Sequence, residues 1–113
     1  MKKIEAVIKE EHLDEVKEAL SEAGFVSMTV SAVKGRGTRG GIQLEWRAGS
    51  YRVDFLAKIM VMLVVKDEDV KPVCDVIVNV CRKDPTGGAG KIFVSTVDEV
   101  IRIRTGERDN DVL

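Results

Sequence analysis

Two glycine-rich stretches and two arginines are the residues whose types and spacing suit anion binding. The second stretch, Gly87 to Lys91, places three glycines beside one lysine, just before a strand-like segment. Bare backbone N–H groups and an ammonium can approach phosphate oxygens closely. Arg102 and Arg104 stand on a predicted extended segment, where residues i and i+2 point to the same face. Their guanidinium groups match phosphate oxygens, so together with Lys91 they predict a polyphosphate site.

Neither glycine stretch satisfies the full motif of a known nucleotide-binding loop. Gly35 to Gly40 reads G-x-G-x-x-G, but Gly41 to Glu45 shows no helical start, which a dinucleotide fold requires. The second stretch is not a Walker A loop, because Ile92 and a strand follow it instead of Ser or Thr and a helix. Two plainer alternatives stay open: a turn between helix and strand, and a solvated basic face balanced by Asp98 and Glu99.

No pair of nucleophile and base typical of an enzyme can be read from the spacing of the residues. A Ser-His-Asp triad would depend on His12, the single histidine, which is most simply an exposed residue near a helix start. Asp67, Glu68 and Asp69 favour a helix N-terminus electrostatically and resemble a metal site only by composition. We therefore predict a binding protein rather than an enzyme, without catalytic residues or a metal site.

The composition predicts a single small globular domain over residues 1–113. The chain weighs 12.5 kDa and carries 18 Lys plus Arg against 19 Asp plus Glu. This balance disfavours a nucleic-acid binder, which needs a basic excess. The longest apolar run, Ile59 to Val65, is far shorter than the ~20 residues of a membrane helix. Without a signal-peptide pattern, we expect a cytoplasmic protein that does not insert into membranes, with Cys74 and Cys81 packed in the core.

A helix flanked by strands is predicted twice along the chain. The apolar stripes that predict the two helices are Leu13, Val16, Leu20 and Ala23, and then Val70, Val73, Ile77 and Val80. The strand-like segments are Lys3 to Lys9, Val26 to Val33, Ile59 to Val65, Lys91 to Val97 and a last piece from Val100 to Ile103. Two β-α-β units predict an α+β, ferredoxin-like fold, in which both helices cover one face of an antiparallel four-stranded sheet.

Local signals support the boundaries of these helices. Gly24 suits the C-terminal cap of the first helix. Pro72 fits the first turn of the second helix, and the carboxylate of Asp69 is a candidate cap for it. A long loop with no clean period, Gly35 to Asp54, joins the two units, and loops of this length are usually functional.

The strand from Ile59 to Val65 is apolar on both faces. Met60, Met62 and Val64 share one face, and the residues between them share the other. Helices cover only one face of such a sheet, so the second face needs another cover. A second copy of the same sheet is the simplest one, and we therefore predict an obligate homo-oligomer.

These motifs together resemble, over essentially the whole chain, the PII nitrogen-regulatory signal-transduction proteins of the GlnB/GlnK type. The segments that carry the resemblance are Leu13 to Leu20, Met28 to Val30, Val33 to Gly35, Arg47, Tyr51, Val53 to Lys58, Gly90 to Val94 and Val100 to Glu107. The resemblance implies a homotrimer in which ATP and ADP compete for clefts between neighbouring subunits. It also implies a T-loop at about residues 36–54, a phosphate loop at about 84–91 and a C-terminal tail at 107–113.

The resemblance also implies roles for individual residues. In such proteins the adenine meets the residues that match Thr29 and Val64. The phosphates meet those that match Gly37, Thr38, Gly88, Ala89, Gly90, Lys91, Arg102 and Arg104. In members that partner an ammonium transporter, the arginine that matches Arg47 enters and blocks the channel, which implies reversible recruitment of a cytoplasmic protein to the membrane. Tyr51 matches a position of possible modification, although the residues before it depart from the usual uridylylation context.

Arg39 is the main departure from the family pattern. The family usually has a glutamine here, whose amide oxygen helps to hold the magnesium ion that chelates 2-oxoglutarate. A guanidinium has no acceptor lone pair and is positively charged. Lys58, which matches the residue that contacts the carboxylate of this effector, is retained. We expect weak or absent 2-oxoglutarate binding, and the presence of magnesium stays open. Ala89 replaces a usual aspartate, but the backbone N–H donors survive that change.

The leading hypothesis is a regulatory protein that senses ATP and ADP and inhibits an ammonium transporter through its T-loop. One alternative is another trimeric ferredoxin-like binding module, such as a metal-tolerance protein. Such a module would need metal ligands, and this chain has one histidine and no paired cysteine motif to supply them. A further alternative is an ATP-hydrolysing enzyme, for which the sequence shows no convincing base.

Overall fold

The computed structural model describes residues 1–37 and 40–113, so Thr38 and Arg39 lie outside the described residues. The strands are β1 (Lys2–Ile8), β2 (Thr29–Gly35), β3 (Ile42–Trp46), β4 (Gly49–Val53), β5 (Leu56–Val65) and β6 (Lys91–Thr96). The helices are α1 (Leu13–Glu22) and α2 (Val70–Cys81). Short 3-10 turns span Glu10–His12, Asp67–Asp69 and Asp109–Val112. Among the described residues, no helix is long and apolar enough to cross a bilayer.

The four-stranded sheet has the strand order β2-β5-β1-β6, and its neighbouring strands are antiparallel. The central strands β1 and β5 pair along their whole common length, from Lys2 opposite Val65 to Ile8 opposite Ile59. Strands β3 and β4 form a separate two-stranded sheet. This arrangement of two helices and an antiparallel sheet confirms the predicted α+β, ferredoxin-like fold.

The core lies between the two helices and one face of the sheet. Alternate residues of β1 and β5 are buried there, while Val16 and Leu20 of α1 and Val73 and Ile77 of α2 are almost completely buried. The apolar stripes of the sequence therefore mark the core side of each helix, except at Ala23, which is exposed and lies just after the end of α1. Cys81 is a buried core residue, and Cys74 packs against the core, as predicted.

The helix ends differ in how well the sequence predicts them. Gly24 has a φ of +95°, and the N–H of Phe25 donates to the carbonyl of Leu20 at 2.8 Å. This is a Schellman cap, as the glycine predicts. The predicted cap at Asp69 is wrong, because the Asp69 carboxylate makes no capping hydrogen bond and a 3-10 turn leads into α2 instead.

Three predicted segments need correction. Strand β2 runs from Thr29 to Gly35 instead of beginning at Val26, because residues 25–28 carry the chain from the helix layer to the sheet edge. The segment Val100 to Ile103 is not a strand, since the chain turns back after it and only Ile101 forms a bridge, to Arg108. Most of the long loop is the hairpin of β3 and β4 rather than a structureless connection.

Candidate functional site

A glycine turn, residues 84–91, connects α2 to β6. Gly87, Gly88 and Gly90 have positive φ values of 75°, 65° and 108°. Backbone of this kind forms the concave turns that present N–H groups to anions. Gly90 has a second constraint, since an added Cβ would lie 1.9 Å from the carbonyl oxygen of Val7. The turn therefore sits directly on the end of β1, and Lys91 begins β6 beside it.

The turn is tied to the body of the protein by an ion-pair cluster around Asp84. The Asp84 carboxylate oxygen Oδ2 lies 2.9 Å from both Lys9 Nζ and His12 Nε2. Its Oδ1 accepts hydrogen bonds from the backbone N–H and the hydroxyl of Thr86 at 2.8 and 2.5 Å. The Thr86 hydrogen bonds first, followed by that from Lys9, hold the pKa of Asp84 well below its usual range, so the carboxylate is ionised. The prediction that His12 is an exposed residue is wrong, because its side chain is only 14% exposed.

Glu11, His12 and Asp84 also have ligand atoms within 4.8 Å of one another. By distance alone these three groups resemble a metal site. However, the ammonium of Lys9 lies 2.9 Å from Asp84 Oδ2, the same oxygen that contacts His12 Nε2. A cation already balances this carboxylate, so the group is better described as an ion-pair cluster than as a metal centre.

The face of the sheet that points away from the helices, here called the helix-free face, includes Met60 and Met62. It also carries Thr29, Val64 and Lys91, the strand residues predicted to contact a nucleotide. Residues directly opposite in antiparallel strands share a face, and Thr29 lies opposite Met62 while Lys91 lies opposite Val7. Val64 and Lys58 belong to the same face, on either side of Met60 and Met62. Lys58 and Lys91 lie toward the same end of this face, but strand β1 separates them. The structure thus places Lys91, and not Lys58, beside the glycine turn.

The two C-terminal arginines are arranged differently from the prediction. They were expected side by side on an extended segment, but Arg102 and Arg104 lie in a turn closed by a hydrogen bond from the Gly106 N–H to the Arg102 carbonyl. Arg102 also forms an ion pair with Glu107 at 2.9 Å. This turn follows the end of β6 opposite to Lys91. The C-terminal tail packs back on it, with the Asp109 N–H donating to the Val100 carbonyl.

The hairpin of β3 and β4 presents Arg47 at its tip and Tyr51 on one of its faces, both exposed. Tyr51 lies opposite Leu44, and Trp46 shares their face, so one side of the hairpin is apolar and exposed. At its base, the Arg36 guanidinium lies 5.6 Å from the centre of the Phe55 ring, a cation–π distance. Gly37 is exposed in the connection that follows β2.

The sequence interpretation missed the ion-pair cluster at the glycine turn. Asp84-Pro85-Thr86 carries a turn signal, because an aspartate side chain often accepts hydrogen bonds from the backbone two residues later. Such a signal finds the bond from Thr86 to Asp84 but not its partners. Lys9 and His12 are 75 and 72 residues away along the chain, and only the fold brings them to this carboxylate.

Comparisons with known proteins agree on one family. The family described as nitrogen regulatory protein P-II matches residues 1–107. Nitrogen regulatory protein P-II 2 of Methanothermobacter thermautotrophicus is 50% identical over 107 residues, which cover 95% of this chain and 92% of that protein. The P-II proteins of Rhizobium meliloti and Synechocystis sp. are 50% and 47% identical over 113 residues, the full length of both chains in each case. The chain belongs to the nitrogen regulatory protein P-II family.

Proposed function

We propose that this chain is a homotrimeric sensor of ATP and ADP that regulates a partner through the β3–β4 hairpin, most directly by inhibiting an ammonium transporter. The observation that carries the proposal is the glycine turn, with three glycines at positive φ beside Lys91. This arrangement offers backbone donors and an ammonium group to one polyphosphate. Thr29 and Val64, on the same face of the sheet, are the proposed contacts of the adenine.

Family membership supports regulation rather than catalysis. P-II proteins are signal-transduction regulators, and this chain is a regulator rather than an enzyme. A regulator must convert bound nucleotide into a change at another surface. Gly37 belongs to the connection between β2 and β3, so this connection is the proposed route from the nucleotide to the hairpin. Thr38, a proposed phosphate contact, lies outside the described residues.

The trimer is part of the proposal because one chain does not supply a complete site. Met60, Met62 and Val64 are only half-buried, on a sheet face that none of the described helices covers. Arg102 and Arg104 follow the end of β6 opposite to Lys91. We therefore assign them to the phosphates held by the glycine turn of a neighbouring subunit. For Arg102 this requires the guanidinium to leave Glu107, or to contact Glu107 and the phosphate at the same time.

The hairpin is the proposed partner-binding segment, with Arg47 at its tip. ATP and ADP would stabilise different positions of the hairpin, and only one of them would fit the partner, which is a population shift. The side chain of an arginine at a hairpin tip is long enough to enter a narrow polar opening that the strands themselves do not enter. Tyr51, exposed on β4, is a possible modification site of the same segment.

The response to 2-oxoglutarate is the point at which this chain should depart from its family. Lys58 remains available to a carboxylate on the open sheet face. Arg39 lies outside the described residues, and its guanidinium offers no oxygen to the magnesium ion that would hold the effector. We therefore propose that adenine nucleotides, rather than 2-oxoglutarate, set the state of the hairpin.

Isothermal titration calorimetry tests the nucleotide proposal. ATP and ADP are expected to bind competitively, and Lys91→Met is expected to weaken both by about tenfold or more, because a charge-assisted phosphate contact is lost. Lys71→Met is the matched control, since Lys71 is an exposed lysine in the first turn of α2, at the end of the helix away from the glycine turn. A titration of 2-oxoglutarate into the protein with MgATP should give weak binding or none. Equal ATP affinity in the unaltered chain and in Lys91→Met would contradict the site, and micromolar 2-oxoglutarate affinity would contradict the proposed departure.

Arg47→Ala is expected to abolish inhibition of the transporter and to leave ATP affinity unchanged, because Arg47 lies at the hairpin tip, apart from the glycine turn. The measurement is capture of the protein by transporter-containing membranes in ATP or ADP, together with ammonium uptake. Arg52→Ala, on the polar face of the same hairpin, is the control and should retain inhibition. Loss of ATP binding in Arg47→Ala would contradict the separation of the two roles.

A further inference from the structure

We propose that Asp84 is a positioning residue for the nucleotide: its ion pairs with Lys9 and His12 hold the glycine turn in the shape that presents N–H groups to phosphate. The ligand in this inference comes from the proposed function. The effect on the turn depends only on the cluster itself, and it can be tested in the absence of any nucleotide.

Asp84 joins two parts of the chain through the two oxygens of one carboxylate. Oδ1 closes the start of the turn by accepting from the N–H and the hydroxyl of Thr86. Oδ2 faces the connection between β1 and α1, where it meets Lys9 Nζ and His12 Nε2, both at 2.9 Å. The Asp84 side chain is only 8% exposed. Because water is largely excluded, its charge is satisfied by these protein groups rather than by solvent.

Lys9 extends the contact toward the middle of the turn. Its ammonium donates to the Thr86 hydroxyl at 2.6 Å as well as to Asp84. A Cβ added at Gly88 would lie 3.8 Å from Lys9 Cε, so the lysine side chain runs beneath the turn. At the far end, Gly90 lies against the carbonyl of Val7. The glycines are thus held from both sides by one short stretch, residues 7–12.

A tether is needed here because glycines lose more conformational freedom on ordering than other residues. A free turn of this composition would sample many shapes and would be ordered only when the ligand binds, at a cost in affinity. The cluster around Asp84 orders the turn in advance. The tether therefore predicts tighter nucleotide binding through preorganisation, although the ionised Asp84 carboxylate itself has no donor for the phosphates.

Amide hydrogen exchange of the nucleotide-free protein tests the tether. Asp84→Asn keeps the size of the side chain and one acceptor for Thr86, but it removes the charge that holds Lys9 and His12. We expect exchange at residues 86–90 to become about tenfold faster, as for loss of one charge-assisted hydrogen bond. Exchange in β1, β5 and α2 should stay unchanged. Asp75→Asn is the matched control, because it breaks an exposed ion pair with Lys71 of similar length.

Calorimetry with MgATP then tests positioning. The affinity of Asp84→Asn should fall about tenfold, in step with the change in exchange. Lys9→Met should reproduce this loss, and Lys9→Arg, which retains a cation at Asp84, should restore most of the affinity. If Lys9 served folding alone, the Lys9→Met and Lys9→Arg variants would bind MgATP with the same affinity whenever their thermal stabilities were equal. Unchanged exchange at residues 86–90 in Asp84→Asn overturns the tether, and faster exchange with unchanged MgATP affinity overturns positioning.

The two proposals can fail separately. Absence of MgATP binding by the unaltered chain contradicts the proposed function, while the exchange experiment still decides whether Asp84 holds the turn. A metal ion is the competing occupant of Glu11, His12 and Asp84. Slower exchange at residues 86–90 on addition of Zn²⁺, reversed by a chelator, would replace the tether by a metal-dependent clamp and overturn the inference.

Discussion

Gly90→Ala is expected to destabilise the folded chain by on the order of 3 kcal/mol or more, through backbone strain and steric overlap together. The added Cβ would lie 1.9 Å from the carbonyl oxygen of Val7 and 3.0 Å from its carbonyl carbon. Both atoms belong to the backbone of β1, a central strand, so neither can move without disturbing the sheet. The φ of +108° adds strain for any residue with a side chain. Small domains are stable by only about 5–15 kcal/mol, so a large share of the stability is lost.

Gly88→Ala is the matched control for this substitution. Its φ of +65° also disfavours alanine, but only the flexible Lys9 side chain lies near the new Cβ, at 3.8 Å. Gly88→Ala should therefore lower the free energy of unfolding by about 1 kcal/mol, through the strain of the left-handed conformation alone. Urea unfolding at one fixed chain concentration measures both variants, since an oligomer gains stability with concentration. Equal stability of the two variants would show that the contact between Gly90 and Val7 is not a constraint on the turn.

Met62→Lys is expected to convert the proposed trimer into monomers. Met62 lies at the middle of the helix-free face, opposite Glu5 of β1 and Thr29 of β2. In a single chain a lysine here can pair with Glu5 across the strands, so the fold should be retained. In an assembly that buries this face, the same ammonium and the Glu5 carboxylate would both lose water, and their attraction would not offset a desolvation cost of several kcal/mol. The expected readout is a fall in sedimentation mass from three chains to one chain of 12.5 kDa.

Ala57→Lys separates the effect of the face from that of an added charge. Ala57 belongs to the same strand but is exposed. This variant should sediment like the unaltered protein. A monomeric unaltered protein at micromolar concentration would contradict the proposed trimer, and a trimeric Met62→Lys with native circular dichroism would place its interface elsewhere.

The fold was predictable because the signals that determine it are local. The stripe of Val70, Val73, Ile77 and Val80 has the period of a helix, and its members face the core. The hairpin was equally encoded, since Ile42, Leu44 and Trp46 alternate with polar residues in the manner of a strand. Glycines and charges around that alternation led to its interpretation as an irregular loop.

The site was predictable only in part, since its charges depend on contacts between distant residues. The glycines of the turn have the positive φ values that a glycine-rich sequence suggests. The pairing of Arg102 with Glu107 depends on a turn. The sequence from Val100 to Ile103 does not predict this turn, because it has the pattern of a strand. Asp84 looks like any turn aspartate until the fold places Lys9 and His12 beside it. Periodicity identifies faces of elements, but it does not identify which charges meet across them.

Because β3 and β4 form a separate sheet, the hairpin needs little free energy to change its conformation. These strands share no ladder with the four-stranded sheet, and a two-stranded hairpin alone is at best marginally stable in water. Such a segment can melt and refold locally at a small fraction of the free energy of global unfolding. The hairpin can therefore change its shape at a small cost in free energy while the four-stranded sheet keeps its register, a cost that the nucleotide binding proposed above would cover.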